Sequence, residues 1–325
     1  MNSITTINPV NVPGLSVPDF SARDAEAQFT FYVLLKIRPG ISQRQFDDYW
    51  RDVHGPVCAR LPGQFQYWQF HVTQDQGGLW PHHPGVKMHT SPEEQYDGIA
   101  ELTFLTEQAR HDWFEAAAIL MSDEHNIFSK TTGYVTTQGN SRTWIDRIPD
   151  GSPNGASPVT KLHVLLRKAD RISIKGLHTF LTEQWAPQIA RSPSVSKLRL
   201  HLLEEHDNSE NLPPAPGVSH REFIVDQYQA AIEIAWPDRL AMERFFASAE
   251  YQEVSAELEH FVGKLVAFRE RTANTFVYRG QMTLAGKRGS SVAQLITELG
   301  AVNQLEEPLE KLVLYHQLPA ALQQA

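Results

Sequence analysis

The feature that most constrains the fold of this chain is an internal duplication. The segment "YVLLKIRPGIS" at Tyr32–Ser42 is matched by "HVLLRKADRIS" at His163–Ser173, 131 residues later. Further on, "YDGIAEL" and "YQAAIEI" match at an offset of 132, so that Glu101 corresponds to Glu233. Ordered matches at a nearly constant offset indicate two copies of one structural unit in a single chain.

Each copy has the pattern strand, helix, strand, long loop, strand, helix, strand. In the first copy "FTFYVLLKIR" is an apolar, β-branched and aromatic strand. Ser42 and Gln45 predict a capping box at the start of a helix with one apolar face. Gly55-Pro56 is expected to end that helix. "QYWQFHVT", "DGIAELTF" and "GYVTTQ" supply three further strands, with a second helix from about Thr106 to Asp123. This βαββαβ order is that of a ferredoxin-like unit.

A ferredoxin-like sheet carries helices on one face only, so its other face must be covered. The predicted fold is therefore α+β, with two βαββαβ repeats whose antiparallel sheets pack face to face as a barrel with helices outside. We expect an N-terminal arm at 1–27, a first repeat at 28–147, a Pro/Gly/Ser-rich linker at 148–160 and a second repeat at 161–280. A tail at 281–325 with one helix follows.

The composition narrows the class of protein. With 29 Lys and Arg against 38 Asp and Glu, the chain has a formal net charge of −9, and nucleic acid or anionic membranes are not expected partners. Cys58 is the only cysteine, which rules out an intrachain disulfide and a thiolate metal cluster. Neither a signal peptide nor a membrane-spanning stretch is visible in the sequence. We expect a cytoplasmic protein with a small-molecule substrate, and homodimerisation is left open.

Strand alternation assigns side chains to the two faces of each sheet. In the first copy it leaves Tyr67, Gln69 and His71 on the row opposite Trp68, Phe70 and Val72. The apolar row is suited to packing under the helices, which predicts that the first row faces the space between the sheets. Aligning "WQFHV" with "LRLHL" by deleting one residue places His71 on His201 and agrees with this assignment. The polar residues predicted there are Tyr67, His71, Glu101, Arg199, His201 and Glu233. Ion pairs of Arg199 with either glutamate, or a ligand cavity, would explain them.

His54 differs between the two copies. Trp185 stands at its position in the second copy, so the same helix end forms without an imidazole. A histidine that is dispensable for the fold is a candidate proton carrier. Cys58, four residues later, is expected to be a buried small hydrophobe. His82, His83 and His89 lie in a long loop and are expected to form an exposed, flexible cluster rather than a metal site. No nucleotide-binding motif is present.

The segment "ISQRQFDDYWRDVHGPVCARLPGQFQYWQFHV", followed by "YDGIAELTF" and "SDEHNIF", resembles the EthD-like proteins of the dimeric α/β-barrel superfamily. The resemblance implies an intrachain dimeric α/β barrel, with the family's histidine at His54 and its strand glutamate at Glu101. Relatives include cofactor-free decarboxylases, dehydratases, cyclases and isomerases of aromatic or polyketide-like substrates. Others are quinone-forming monooxygenases, haem enzymes and accessory proteins.

These observations favour a cofactor-independent lyase or isomerase acting on a small aromatic or polyketide-like substrate, with no metal. His54 would move the proton, Tyr67 and His71 would bind or polarise an enolate or phenolate, and Glu101 would orient the base. The catalytic candidates are thus His54, Glu101 and Tyr67. The candidate substrate-binding residues are His71, Tyr49, Gln69, Asp97, Arg199, His201 and Glu233. A haem-dependent oxidoreductase or dehydratase and a non-catalytic binding or accessory protein are the alternatives.

Overall fold

A computed structural model describes residues 17–74, 77–205 and 215–318. The strands of the first half are β1 (Phe29–Ile37), β2 (Gln66–Thr73), β3 (Gly98–Phe104), β4 (Phe128–Val135) and β5 (Ser141–Asp146). The short strand β6 (Asn154–Gly155) lies between the halves. The later strands are β7 (Thr160–Lys168), β8 (Lys197–Leu202), β9 (Ala230–Trp236), β10 (Val262–Tyr278) and β11 (Gln281–Met282).

Helices cover the outside of both halves. Those of the first half are α1 (Gln43–Tyr49), a π-helical turn (Trp50–His54), α2 (Gly55–Cys58), α3 (Glu107–Ala116) and α4 (Ala118–Glu124). The second half has α5 (Ile174–Phe180), a π-helical turn (Leu181–Trp185), α6 (Ala186–Arg191), α7 (Arg239–Phe246), α8 (Ala249–Ser255) and α9 (Leu258–Phe261). The tail contains α10 (Leu284–Arg288), α11 (Ser290–Glu298) and α12 (Glu307–Tyr315). Short 3₁₀ helices are Ser21–Asp24, Pro92–Glu94, Ile224–Asp226 and Val302–Leu305.

The two repeats form the predicted barrel, but as one continuous sheet rather than as two separate layers. The strand order is β4-β1-β3-β2-β10-β7-β9-β8-β5, and every pairing is antiparallel. β10 is long enough to pair with β7 along its first part and with β2 along its second. In the first half, β4 pairs with β1 of the same half, whereas β5, which follows it, pairs with β8 of the second half. Each repeat therefore joins the other through the extension of its last strand.

Three hydrophobic cores follow from this arrangement. One fills the barrel interior with residues such as Tyr32, Phe70 and Phe268. The other two lie between the helices and the outer face of the sheet, one in each half. The second-half core contains Trp185, the counterpart of His54. The space between the helices and the sheet is therefore filled by different side chains in the two halves.

The helix that carries His54 does not end at Gly55-Pro56, contrary to the sequence-based expectation. Ser42 caps α1 as predicted, with Gln45 completing the capping box. The chain then widens into a π turn and continues as α2 to Cys58. Proline has no N–H, and its ring crowds the carbonyl four residues earlier in a regular α-helix, whereas a wider turn relieves that conflict. Leu181–Trp185 repeats the π turn ahead of the second-half proline.

The predicted register of β2 is wrong by one residue. Trp68 faces Glu101 on β3, just as Arg199 faces Glu233 on β9. Trp68 thus corresponds to Arg199 at the constant offset of 131, and the deletion assumed in the alignment does not exist. Because side chains alternate along a strand, a slip of one residue exchanges the faces of all of them. The barrel interior receives the row Trp68, Phe70 and Val72, and the helix side receives Tyr67, Gln69 and His71.

Candidate functional site

A cavity of about 300 Å³ lies between the helices of the first half and the outer face of its sheet. Its walls are mainly apolar and aromatic, with Phe31, Leu102, Trp113 and Phe128 among them. The polar side chains on its lining are His54, Cys58, Tyr67, Glu124, Thr131 and His220. A largely apolar cavity with a few convergent polar groups is typical of a small-molecule site.

His54 reaches this cavity because of the helix that precedes it. Phe46 and Trp50 anchor that helix in the core, and the π turn ends at His54, a residue that is only 6% exposed. Gly55 lets the turn approach β10 closely, since a Cβ atom there would lie 2.5 Å from the ring of Phe276. The imidazole also packs edge-on against Phe128, with ring centroids 5.7 Å apart.

His54 forms a dyad with Asp123 at the end of α4. Its Nδ1 lies 2.8 Å from Oδ2 of Asp123. The other carboxylate oxygen accepts hydrogen bonds from the Tyr49 hydroxyl at 2.5 Å and from the Asn126 amide at 3.1 Å. Burial raises the pKa of Asp123, but hydrogen bonds from His54 and Tyr49 outweigh burial and lower this pKa to about 2. Asp123 is therefore ionised, so Nδ1 carries the proton and Nε2 is the basic nitrogen.

Glu124 is the neighbouring residue but has the opposite electrostatic character. Burial raises its pKa to about 7, against a lowering by the Thr131 hydroxyl and with a further rise from the charge of Asp123. The Thr131 hydroxyl lies 3.4 Å from Oε2 of Glu124. His220, from the second half, places Nε2 at 3.3 Å from the same oxygen. Two adjacent carboxyl groups thus have pKa values on opposite sides of the ordinary value, as in sites that perform acid and base chemistry together.

Tyr67 lines the cavity from β2. Its hydroxyl oxygen accepts a hydrogen bond from Nε2 of Gln69 at 2.7 Å, and that amide also donates to the carbonyl of Trp50 at 2.9 Å. Burial raises the pKa of Tyr67 well above its usual value, so the hydroxyl stays protonated and can donate. Burial likewise raises the pKa of Cys58 to about 12, which makes its thiol a poor nucleophile.

The structure places the predicted site residues in separate environments. His54 and Tyr67 share the cavity, with Tyr49 and Gln69 directly behind them. Two predicted residues, His71 and Asp97, pair elsewhere. His71 lies 2.8 Å from Asp47, which also holds Arg271. Asp97 accepts from the backbone N–H of Ile37 at 2.9 Å. None of these contacts involves the cavity.

Glu101, Arg199, His201 and Glu233 lie inside the barrel, on the far side of the sheet from His54. Glu101 pairs with Arg199 at 2.7 Å, and Glu233 pairs with Lys161 and Lys197. The prediction that His54 opens onto the space between the sheets is therefore incorrect, because the cavity at His54 lies outside the barrel. A separate cavity of about 310 Å³ at one end of the barrel is lined by Glu101, Arg199 and Glu233.

Sequence reasoning missed Asp123, Glu124 and His220 as site residues. The acidic pair stands in "SDEHNIF", where an acidic residue ahead of a phenylalanine is part of the family pattern. His220 follows the "PGV" that the two long loops share. This motif does not indicate which half of the molecule the loop covers. The sequence predicts an exposed histidine cluster in the other long loop. This is wrong for His83, which is buried with Nε2 at 2.9 Å from the Tyr251 hydroxyl.

Two further features of the described residues bear on function. Among residues 17–74, 77–205 and 215–318, no cluster of three or more His, Cys, Asp or Glu side chains has the arrangement of a metal site. Within the same ranges no helix is both long and apolar enough to cross a membrane.

In a comparison with known families, residues 38–131 match the model of the EthD domain. No curated protein matches the chain significantly. Among solved structures, the chain is similar to a monooxygenase-like protein of Lactobacillus acidophilus (10% identity, 79% of this chain and 99% of the other, TM-score 0.42). It is also similar to an anthrone oxidase-like protein (9%, 79% and 96%, 0.46) and to a chlorite dismutase variant of Candidatus Nitrospira defluvii (7%, 75% and 91%, 0.36). At these identities the similarity concerns the fold only.

Proposed function

We propose that this chain is a cofactor-independent acid/base lyase or isomerase, of the decarboxylase, dehydratase or cyclase type. Its substrate would be a small aromatic or polyketide-like molecule bound in the cavity of the first half. The observation that carries the proposal is the His54–Asp123 dyad on the wall of an aromatic cavity. An imidazole whose Nδ1 is held by a carboxylate presents Nε2 to the cavity and is suited to act as a general base.

In this proposal, Nε2 of His54 takes a proton from a carbon next to a substrate carbonyl. The electron pair of the broken C–H bond then forms an enolate or phenolate. The Tyr67 hydroxyl would donate a hydrogen bond to the developing oxyanion, because Gln69 already occupies its oxygen as a donor. Return of the proton to another carbon gives an isomerase, whereas its transfer to a departing hydroxyl gives water and a dehydratase.

Haem does not fit this cavity. Its volume of about 300 Å³ is at the lower end of the range for small-molecule sites. Among the described residues that line it, there is no lysine or arginine to pair with the two propionates. A non-catalytic ligand-binding role remains the alternative, and it differs in not requiring the basic nitrogen of His54.

The test is proton transfer to a probe. The purified chain is incubated in D₂O with 4-hydroxyacetophenone, and deuterium incorporation at the methyl group is followed by NMR. We expect His54→Gln to lower the exchange rate by about a hundred- to ten-thousand-fold, the usual contribution of a general base. His111→Gln is the matched control, because His111 lies on the exposed surface of α3.

Unchanged exchange in His54→Gln would contradict the assignment of the base. Binding of the probe without any exchange above the buffer rate in the unmodified chain would instead favour the binding or accessory alternative.

A further inference from the structure

The long loop of each half packs on the helix layer of the other half. Trp80 and Val86, from the loop after β2, belong to the second-half core. Ala215 and Val218, from the loop after β8, belong to the first-half core. Backbone hydrogen bonds of 2.9 Å between Ser219 and both Ser129 and Thr131 fix the second loop against β4. The cavity of the first half is therefore partly walled by the second repeat.

His220 is the side chain that this loop brings to the cavity. Its Nδ1 lies 2.7 Å from the Thr131 hydroxyl, and its Nε2 lies 3.3 Å from Oε2 of Glu124. The Thr131 hydroxyl has one hydrogen, which it directs to Glu124 in the 3.4 Å contact. If it accepts from Nδ1–H, Nε2 of His220 carries no proton and faces the Glu124 carboxyl as an acceptor, so that carboxyl can hold a proton between them. In the other arrangement of His220, Thr131 and Glu124, the proton lies on Nε2 of His220 and Nδ1 accepts from the Thr131 hydroxyl.

We propose that Glu124 is the second acid/base residue of the site and that His220, supplied by the divergent second repeat, is its positioning residue. This inference rests on the proposed function, in which His54 is the base. The Glu124 carboxyl would donate its proton to the substrate oxygen as Nε2 of His54 receives one from carbon. The resulting carboxylate recovers a proton when product forms, so protons balance over the cycle and no other reactant is needed.

The surroundings of Glu124 agree with a carboxyl that is protonated near neutral pH. The charged or titratable groups that face it are Asp123 beside it on α4, His220 on the crossing loop, and His54, Cys58 and Tyr67 on the cavity wall. Burial raises its pKa to about 7. Burial also lowers the pKa of His220, which keeps the imidazole neutral and able to accept.

The experiment measures the protonation of Glu124 without any substrate. The full chain is labelled with ¹³C at the glutamate carboxyls, titrated by NMR, and the Glu124 signal is assigned by its loss in Glu124→Gln. We expect a midpoint near 7 in the unmodified chain. His220→Gln should lower that midpoint by one unit or more, because an amide N–H favours the ionised carboxyl. Thr131→Val should raise the midpoint, because the hydroxyl that favours the carboxylate is removed.

His83→Gln is the matched control, since His83 is the buried histidine of the other crossing loop and bonds to Tyr251. It should leave the Glu124 midpoint unchanged. A midpoint near the ordinary glutamate value in the unmodified chain would overturn the role of Glu124. An unchanged midpoint in His220→Gln would overturn the role of His220, whatever Thr131→Val does. Either result is independent of the exchange assay on His54, so the two proposals can fail separately.

Discussion

The chemistry of the candidate site depends on which nitrogen of His54 is protonated. Asp123 fixes this through Oδ2, while Tyr49 and Asn126 both donate to its Oδ1. The resemblance to EthD proteins indicated His54 from the sequence, but its partner lies 69 residues away in the chain. Local patterns cannot reveal such a contact, because it exists only after helix α4 has packed beside the π turn.

Replacing Asp123 with asparagine tests this tautomer. Because Tyr49 and Asn126 donate to one oxygen, the new carbonyl should stay there and the new NH₂ should face Nδ1 of His54. The imidazole must then accept at Nδ1 and carry its proton on Nε2, where it cannot act as a base. We expect a loss of about a hundredfold or more in the exchange assay. The ¹⁵N chemical shifts of His54 report the tautomer directly.

Tyr49→Phe is the companion variant, because it removes one donor and leaves the carboxylate in place. It should reduce activity far less than Asp123→Asn and retain the tautomer. If Asp123→Asn keeps its proton on Nδ1 and its full exchange rate, the dyad has no role in catalysis.

Among the secondary-structure elements, the strands show which features could be predicted from the sequence and which could not. The duplication, the Ser42 N-cap and the order of strands and helices were all visible in the sequence. In β8 the leucine row clearly identifies the helix side, and Arg199 lies inside the barrel as predicted. In β2 both rows contain aromatic residues, so alternation alone could not decide between them. Matching His71 to His201 by residue type then selected the wrong register.

Corresponding strands also explain why this cavity lies in the first half. Val33 pairs with Ala100 in the first half, as Val164 pairs with Ile232 in the second. Ala100 lines the cavity, whereas Ile232 is packed in the second-half core. Trp185 in place of His54 adds further volume to that core. The second repeat thus uses larger side chains at positions where the first leaves space.

This comparison predicts reciprocal effects at one strand position. Ala100→Ile should fill the cavity, abolish binding of 4-hydroxyacetophenone and stabilise the chain by about 0.5–2 kcal/mol. Ile232→Ala should destabilise it by about 2–5 kcal/mol, as expected for a large-to-small change in a packed core. Urea unfolding and NMR titration with the probe provide the measurements. Unimpaired probe binding by Ala100→Ile would show that the ligand occupies another site.

At the level of the whole molecule, the interior of the barrel contains buried charges, and one ion pair among them joins its two halves. The interior cations are Lys161, Lys197 and Arg199, and the interior carboxylates are Glu101, Glu233 and Glu270. The Glu101–Arg199 pair joins β3 of one repeat to β8 of the other. Removal of one partner from such a buried pair leaves an uncompensated charge, whereas removal of both can be neutral or stabilising.

The pair also makes the stability of the barrel depend on pH. Burial raises the pKa of Glu101, but the charge of Arg199 and the charge and hydrogen bond of His201 together outweigh burial and lower this pKa to about 2, from 4.5 in the unfolded chain. A depressed acid stabilises the fold above its unfolded pKa, and this contribution is lost as pH falls from about 4.5 towards 2. The shift corresponds to a contribution on the order of 3 kcal/mol.

We therefore expect the double variant Glu101→Met, Arg199→Met to lose less stability than the unmodified chain between pH 5 and pH 3 in urea unfolding. At pH 7 the double variant should be about as stable as the unmodified chain, whereas Arg199→Met alone should lose about 3–5 kcal/mol. Asp47 and Asp123, whose pKa values are also depressed, remain in every variant and contribute equally to each comparison. Identical acid sensitivity of the double variant and the unmodified chain would mean that the interior pair does not couple barrel stability to pH. His54 lies on the opposite face of the sheet, so the double variant should retain the exchange activity at pH 7.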